Sequence, residues 1–212
     1  MKAKKKDIRA LSREEIRDFF QNTGDKAFRG NQVYEWLWSK GAHHFDDMTN
    51  ISKETRELLS EHFVINHIEV DSIQKSKDGT IKNAVKLFDG LIVESVLIPT
   101  PSRTTACVST QVGCSLDCKF CATARLKKMR NLNPDEIYDQ VKAIDQESKF
   151  YHSRPLSNIV FMGMGEPLMN YNNVLKSIDK ITSEEGLGMS PKRITVSTSG
   201  VPKMIKKLAD DE

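Results

Sequence analysis

The strongest constraint on the fold is an alternation in the second half of the chain. Asn133-Pro134 is a helix start, with Asp135 and Glu136 in the first turn where the helix dipole favours anions. Ile137, Val141 and Ile144 carry that helix forward at helical spacing. SNIVFMGMG, from Ser157, then reads as a short apolar strand ending in glycines. NYNNVLKSIDKIT reads as a helix, RITVSTSG as a strand and VPKMIKKLADDE as the start of a further helix. Strands that alternate with helices predict an α/β fold with a parallel sheet or barrel. Two or three parallel strands do not close a barrel, so the chain is expected to hold the N-terminal half of one and to belong to a longer protein.

Upstream, the period changes twice. Residues 1–65 read as helical. Ser12-Arg13-Glu14-Glu15 has capping-box spacing ahead of Ile16, Phe19 and Phe20, which share a helical face. FRGNQVYEWLW repeats the pattern with a stripe of Val33, Trp36 and Leu37, and Ser52 is placed to cap a third helix through Leu58 and Leu59. From residue 66 the runs HIEVDSIQKS, TIKNAVKLF and LIVESVLIP are β-rich. Asp78-Gly79 and Asp89-Gly90 separate them as hairpin signals. TTACVSTQVG predicts one more strand. The expected domains are a helical module at 1–65, an antiparallel β extension at 66–106 and the first part of a β/α barrel at 107–212.

That last strand delivers the chain to CSLDCKFC, where Cys114, Cys118 and Cys121 cluster at spacings of four and three, with Cys107 seven residues upstream. No apolar run approaches the roughly 20 residues a membrane helix needs. Lysines open the chain without an apolar segment behind them, so no secretory signal is read. A cytoplasmic location with no membrane partner follows, and there clustered cysteines bind metal or do chemistry more often than they form disulfides. The net charge of +3 says little, but MKAKKK and RLKKMR concentrate positive charge in a way that suits a polyanion. A solvated face and a frayed terminus account for either run taken alone.

Three thiolates suit zinc or an iron–sulfur cluster. A closed zinc site wants a fourth ligand; Cys107 lies on a predicted strand and the nearest downstream histidine is His152. Three cysteines around a [4Fe–4S] cluster leave one iron open to an outside ligand. Cys-x3-Cys-x2-Cys with an aromatic before the last cysteine, here Phe120, is similar to the pattern of the radical S-adenosylmethionine (SAM) enzymes. Met162-Gly163-Met164-Gly165-Glu166-Pro167 follows a predicted strand, where glycines admit a ligand close to the backbone and a carboxylate can accept from an ammonium group. Alone it is only a turn. Ser197-Thr198-Ser199-Gly200 ends the next strand at the same edge, and its hydroxyls suit either SAM or the cap of the following helix.

These stretches together, with VESVLIP, ACVSTQVGCSLDCKFCATA and MGMGEPLMNY, resemble one family across essentially the whole chain. It is the RNA adenine-C2 methyltransferases of the RlmN type, which have C8-methylating relatives of the Cfr type. The resemblance implies a [4Fe–4S] cluster held by Cys114, Cys118 and Cys121, and SAM bound by Gly165, Glu166 and Ser197. It implies Glu94 as a proton acceptor and Cys107 as a catalytic cysteine outside the cluster. In such enzymes one SAM methylates a second cysteine and another generates a radical on that methyl group. The carbon radical adds to adenine C2, and Cys107 then attacks the thioether-linked sulfur, releasing product as a disulfide forms. Without the resemblance, Cys107 reads as a small buried apolar residue and Glu94 as a strand carboxylate facing solvent.

The methyl-carrying cysteine is absent, since the four cysteines are the three ligands and Cys107. The chain alone is therefore expected to be inactive in methyl transfer. The implied partners are 23S ribosomal RNA, transfer RNA and a flavodoxin- or ferredoxin-like electron donor, acting on a monomer. Arg103, Arg125, Lys127, Lys128 and Arg130 flank the site in sequence as candidate phosphate contacts. The other class of function compatible with the residues is a zinc-stabilised RNA-binding module.

Overall fold

The computed structural model describes residues 5–211, so most of the basic opening MKAKKK lies outside the described residues. The chain divides into two compact units, one running to His67 and including Ser183–Gly188, the other covering Ile68–Thr182 and the residues from Met189 onward.

The first unit begins with strand β1 (Lys6–Asp7) and helix α1 (Arg13–Asn22). The capping box forms as the sequence predicts: Ser12 Oγ accepts from the Glu15 N–H at 3.1 Å, and Glu15 Oε2 accepts from the Ser12 N–H at 2.6 Å. Ile16 and Phe20 are buried, and Phe19 meets Phe63 edge-on at 4.9 Å. Helix α2 (Phe28–Glu35) runs directly into a π-turn, Trp36–Lys40, closed by Gly41. The wider turn changes which side chains face inward. Leu37 and Trp38 are buried, whereas Trp36, expected on the apolar stripe, is only half-buried. Ser52 caps helix α3 (Lys53–His62), which buries Thr55 and Leu59. Strand β2 (Phe63–Val64) pairs in parallel with β1, a bridge too short to leave a periodic signal.

The second unit holds a six-stranded mixed sheet. Its strands are β3 (Glu69–Lys75), β4 (Ile81–Lys86), β5 (Ile92–Pro99), β6 (Thr104–Cys107), β9 (Asn158–Phe161) and β10 (Ile194–Val196), in the order β10-β9-β6-β5-β4-β3. β3 to β6 form the antiparallel meander, and β6, β9 and β10 are parallel. Both expected hairpins form in the same way. Gly79 and Gly90, at φ +86° and +82°, close three-residue loops in which the preceding aspartate accepts from the N–H two residues on.

TTACVSTQVG is not one strand. β6 stops at Cys107, and Gln111–Val112 forms a separate strand β7 that pairs with β8 (Arg130–Asn131). Tertiary hydrogen bonds pull the intervening residues out of the sheet. Val108 N–H still continues the parallel pairing to Val160 O, but Ser109 N–H donates to the Gln140 side chain and Thr110 N–H to Met164 O.

One sheet face carries Val93, Leu97, Ala106, Ile159 and Phe161, all buried, with helix α4 (Pro134–His152) packed against β5 and β6. Pro134 and the Asn133–Glu136 capping box start α4 as expected, and Ile137, Val141 and Ile144 are wholly buried. Each contributes roughly 1.5–3 kcal/mol by leaving water. Helix α5 (Tyr171–Thr182) packs on α4, and helix α6 (Pro202–Asp210) follows β10. The resulting architecture is α/β, with α4 packed on one face of β5 and β6, α5 on α4, and the antiparallel meander extending the parallel strands. Among the described residues no helix is long and apolar enough to cross a membrane.

Candidate cofactor and catalytic site

The sheet face away from α4 carries the catalytic candidates. Cys107 stands opposite Val96 in the antiparallel β5–β6 pair and opposite Val160 in the parallel β6–β9 pair. Side chains two residues apart on a strand share a face, so Glu94, Val96 and Cys107 point the same way, with Val160 beside them. Thr195, opposite Val160 in β10, continues that face towards Ser197. Glu94 is partly exposed, and its carboxylate takes the Lys82 ammonium at 2.9 Å. Its main chain is fixed at both ends, with Ser109 Oγ donating to Glu94 O and Glu94 N–H donating to Met164 Sδ at 3.3 Å. Burial pushes the Cys107 thiol above its ordinary value, and the Met162 N–H opposes that shift only in part. Cys107 is thus held as a thiol, where attack on sulfur calls for a thiolate. Ser197 is exposed at the end of β10.

After β9 the chain turns through Gly163-Met164-Gly165-Glu166. The Glu166 side chain is buried and multiply hydrogen-bonded. Oε1 accepts from Leu168 N–H at 3.1 Å, and Oε2 accepts from Ser199 N–H at 2.8 Å and Ser199 Oγ at 2.9 Å. Burial raises the Glu166 pKa, but these donors outweigh it and the net direction is down, so the carboxylate is held charged. Glu166 thereby staples the turn after β9 to the turn after β10. The hydroxyl that does this belongs to Ser199, not Ser197, and α6 has no side-chain cap, so the capping expected of the STSG hydroxyls does not occur.

The three clustered cysteines lie on the loop between β7 and β8. All four cysteines of the chain are free and half-buried, and no disulfide forms among the described residues. The disulfide expected of Cys107 needs a cysteine this sequence does not contain. Within the loop Cys121 N–H donates to Cys118 O, and Leu116 N–H donates to Cys114 Sγ at 3.4 Å. Phe120 is 94% exposed, with Leu126 and Met129 also exposed. Of the five candidate phosphate contacts, Arg130 is occupied. Its guanidinium forks onto Glu136 at 2.7 Å and 2.7 Å and reaches Asp89 at 2.6 Å, because it ties the loop's exit to the second hairpin and to α4. Arg103, Arg125 and Lys127 are exposed.

Residues 6–65 match the ribosomal RNA large subunit methyltransferase N-terminal domain, and residues 108–211 match the radical SAM superfamily. The chain is 76% identical over its whole length to a probable dual-specificity RNA methyltransferase RlmN of Flavobacterium johnsoniae, covering 61% of that protein. It is 46% identical, over 97% of its length and 58% of the relative's, to the dual-specificity RNA methyltransferase RlmN of Syntrophus aciditrophicus. The chain belongs to the RlmN family of radical SAM proteins. A crystal structure of a radical SAM methyltransferase from Sphaerobacter thermophilus superposes with a TM-score of 0.84 at 36% identity, over 96% of this chain and 60% of that one. The chain thus spans about 60% of the length of these RlmN relatives and of the solved structure.

A radical SAM protein carries a [4Fe–4S] cluster and SAM, and the residues here fit them in kind. Three thiols lie on one loop, with no carboxylate or imidazole among the described residues bonded to them. Beside the end of β9 stands a charged, buried carboxylate suited to an ammonium group. Among the described residues no three His, Cys, Asp or Glu side chains are drawn together as a metal-ligand group, so the three sulfurs share a loop without converging. Sequence reasoning missed Ser109 and Gln111, and read the Ser199 hydroxyl as a SAM contact or helix cap rather than as a partner of Glu166. Ser199 had a signal, since a hydroxyl in a strand-end turn is a ready donor. Ser109 and Gln111 had none, because a polar residue in a Ser- and Thr-rich segment declares itself as buried only through its partners.

Proposed function

We propose that this chain is the cluster- and SAM-binding part of an RNA adenine-C2 methyltransferase acting on 23S ribosomal RNA and transfer RNA. What chiefly supports the reading is one arrangement. The strand ending in Cys107 leads into the three-cysteine loop, and the neighbouring parallel strand ends in the Gly165–Glu166 turn. Cys114, Cys118 and Cys121 would hold the cluster. Glu166 would receive the SAM ammonium, Gly165 would admit it to the backbone, and Ser197 would contact the same ligand. Cluster and SAM together supply the one-electron chemistry that activates a C–H bond no acid or base can.

The chain's own residues then have separable tasks. Glu94 accepts the adenine C2 proton from its place on the open face, where its carboxylate pairs with the Lys82 ammonium. Cys107 attacks sulfur to release the product, and needs deprotonation at that moment because burial holds it as a thiol. Exposed Arg103, Arg125 and Lys127 meet phosphates of an unpaired RNA segment, giving salt-dependent affinity. A low-potential flavodoxin- or ferredoxin-like donor supplies the electron. The methyl-carrying cysteine lies outside these 212 residues, so the chain alone forms no 2-methyladenosine.

The test is iron and acid-labile sulfide on anaerobically reconstituted protein, with the reduced-cluster EPR spectrum recorded before and after SAM. About four irons and four sulfides, with a spectrum that SAM perturbs, are expected. Stoichiometric zinc without sulfide in a folded chain would instead support the non-catalytic RNA-binding module. Mass analysis of the nucleoside made by a full-length relative separates C2 from C8 methylation.

A further inference from the structure

We propose that Gln111 is a positioning residue, whose amide braces the neck of the cysteine loop against the Gly165–Glu166 turn and so sets the thiols in register with the carboxylate. The proposal rests on the SAM-binding role given to that turn above.

Gln111 is wholly buried, and both ends of its amide are engaged. Oε1 accepts from the Glu166 N–H at 2.9 Å, and Nε2 donates to Asn131 Oδ1 at 2.8 Å. A backbone N–H can only donate, so the amide's orientation is fixed by chemistry. Asn131 is the residue opposite Gln111 in the β7–β8 pair, and those two strands are the two sides of the loop's base. Its own amide continues to Met169 O at 3.3 Å, beyond the turn. The main chain reinforces the junction, with Thr110 and Gln111 N–H groups both donating to Met164 O. Contact is close as well. A Cβ on Gly165 would lie 2.4 Å from Gln111 Cβ, so the turn's backbone is seated directly on the glutamine stem.

The side-chain type follows from the task. The position needs an acceptor toward one segment and a donor toward another, across a gap that asparagine is too short to span. Glutamate keeps the acceptor and loses the donor, and methionine of similar length keeps neither. Radical SAM chemistry needs the ligand's amino and carboxylate groups delivered to a metal held by the loop. Register between loop and turn is therefore a functional distance, and Gln111 is the side chain that joins the two segments.

Anaerobically reconstituted wild type, Gln111→Met, Gln111→Glu and Asn131→Ala are compared by titration calorimetry with SAM and with 5′-methylthioadenosine, which lacks the amino-acid end. Iron and sulfide content is measured on each. Gln111→Met is expected to load iron and sulfide as wild type does. It should lose roughly tenfold or more in SAM affinity, while 5′-methylthioadenosine binding changes less than about twofold. Gln111→Glu should fall between, and Asn131→Ala should shift SAM affinity in the same direction. If Gln111→Met does not fold, Asn131→Ala, at a half-exposed residue on the other end of the brace, carries the same expectation. Unchanged SAM affinity, or equal weakening for both ligands, overturns the positioning role and leaves the function standing. A wild type that takes up neither iron nor SAM overturns the function and the inference together.

Discussion

Gly165→Ala, compared with Gly90→Ala, separates a backbone conformation from a close approach. Both glycines belong to the second unit and both have positive φ, +92° for Gly165 and +82° for Gly90. At Gly90 an added Cβ meets nothing within 4 Å, so the cost is conformational alone. Left-handed backbone costs an L-residue roughly 1–2 kcal/mol, and the lower entropy of unfolded alanine offsets about 0.4–1 kcal/mol of it. The net is about 1 kcal/mol. At Gly165 the same Cβ lies 2.4 Å from Gln111 Cβ and 2.6 Å from Cγ, over an ångström inside normal contact. Gln111 cannot swing aside without breaking its bonds to Glu166 and Asn131, so an overpacking cost of about 1–3 kcal/mol is added. Gly165→Ala should therefore destabilise by about 2–4 kcal/mol. In urea, at roughly 2 kcal/mol per M, its midpoint should fall by about 1–2 M, against about 0.5 M for Gly90→Ala. Equal losses in the two variants would show that the approach of turn to glutamine is not tight, and would refute the reasoning.

Three further outcomes are expected. With the loop cysteines replaced by serine, alkylation of Cys107 by iodoacetamide should have a pH midpoint above that of a free thiol, because burial raises its pKa; a midpoint at or below the free value contradicts that. Glu166→Gln should cost most stability at neutral pH, and its deficit should close as pH falls below 4.5. The native carboxylate's pKa is lowered, so its contribution is present above the unfolded value and lost on acidification; a deficit independent of pH in denaturant melts would count against it. Ser153→Gly should raise stability by roughly 0.5–1 kcal/mol, since Ser153 ends α4 at φ +53°, where glycine is unstrained; an unchanged or lower melting temperature speaks against this.

What could be read locally was read well. Capping at Ser12 and Ser52 depends on residues three apart, and both caps form, while Asn133-Pro134 starts its helix where expected. The hairpins at Gly79 and Gly90 depend on a single left-handed residue, and both close. Failures came where distant groups decide. Trp36 was expected inward, but a π-turn, which sequence spacing does not announce, turned Trp38 inward instead. Arg130 looked like a phosphate contact until Asp89, 41 residues away, and Glu136, at the start of α4, took its guanidinium.

The cysteine spacing, the GMGE turn and the β/α alternation are local patterns written by the sequence, and their resemblance to one family is what points to the chemistry. Which carboxylate oxygen meets which hydroxyl is not local. Ser199 finds Glu166 only because β9 and β10 lie parallel and end at the same edge. Gln111 meets Glu166 only because burial of Ser109–Gln111 draws that segment off the sheet and under the turn. A buried polar group must find a partner or pay a desolvation cost, and its candidate partners are set by packing of elements tens of residues apart. The tertiary structure therefore decided the network that holds the site, while the sequence alone decided what the site is made of.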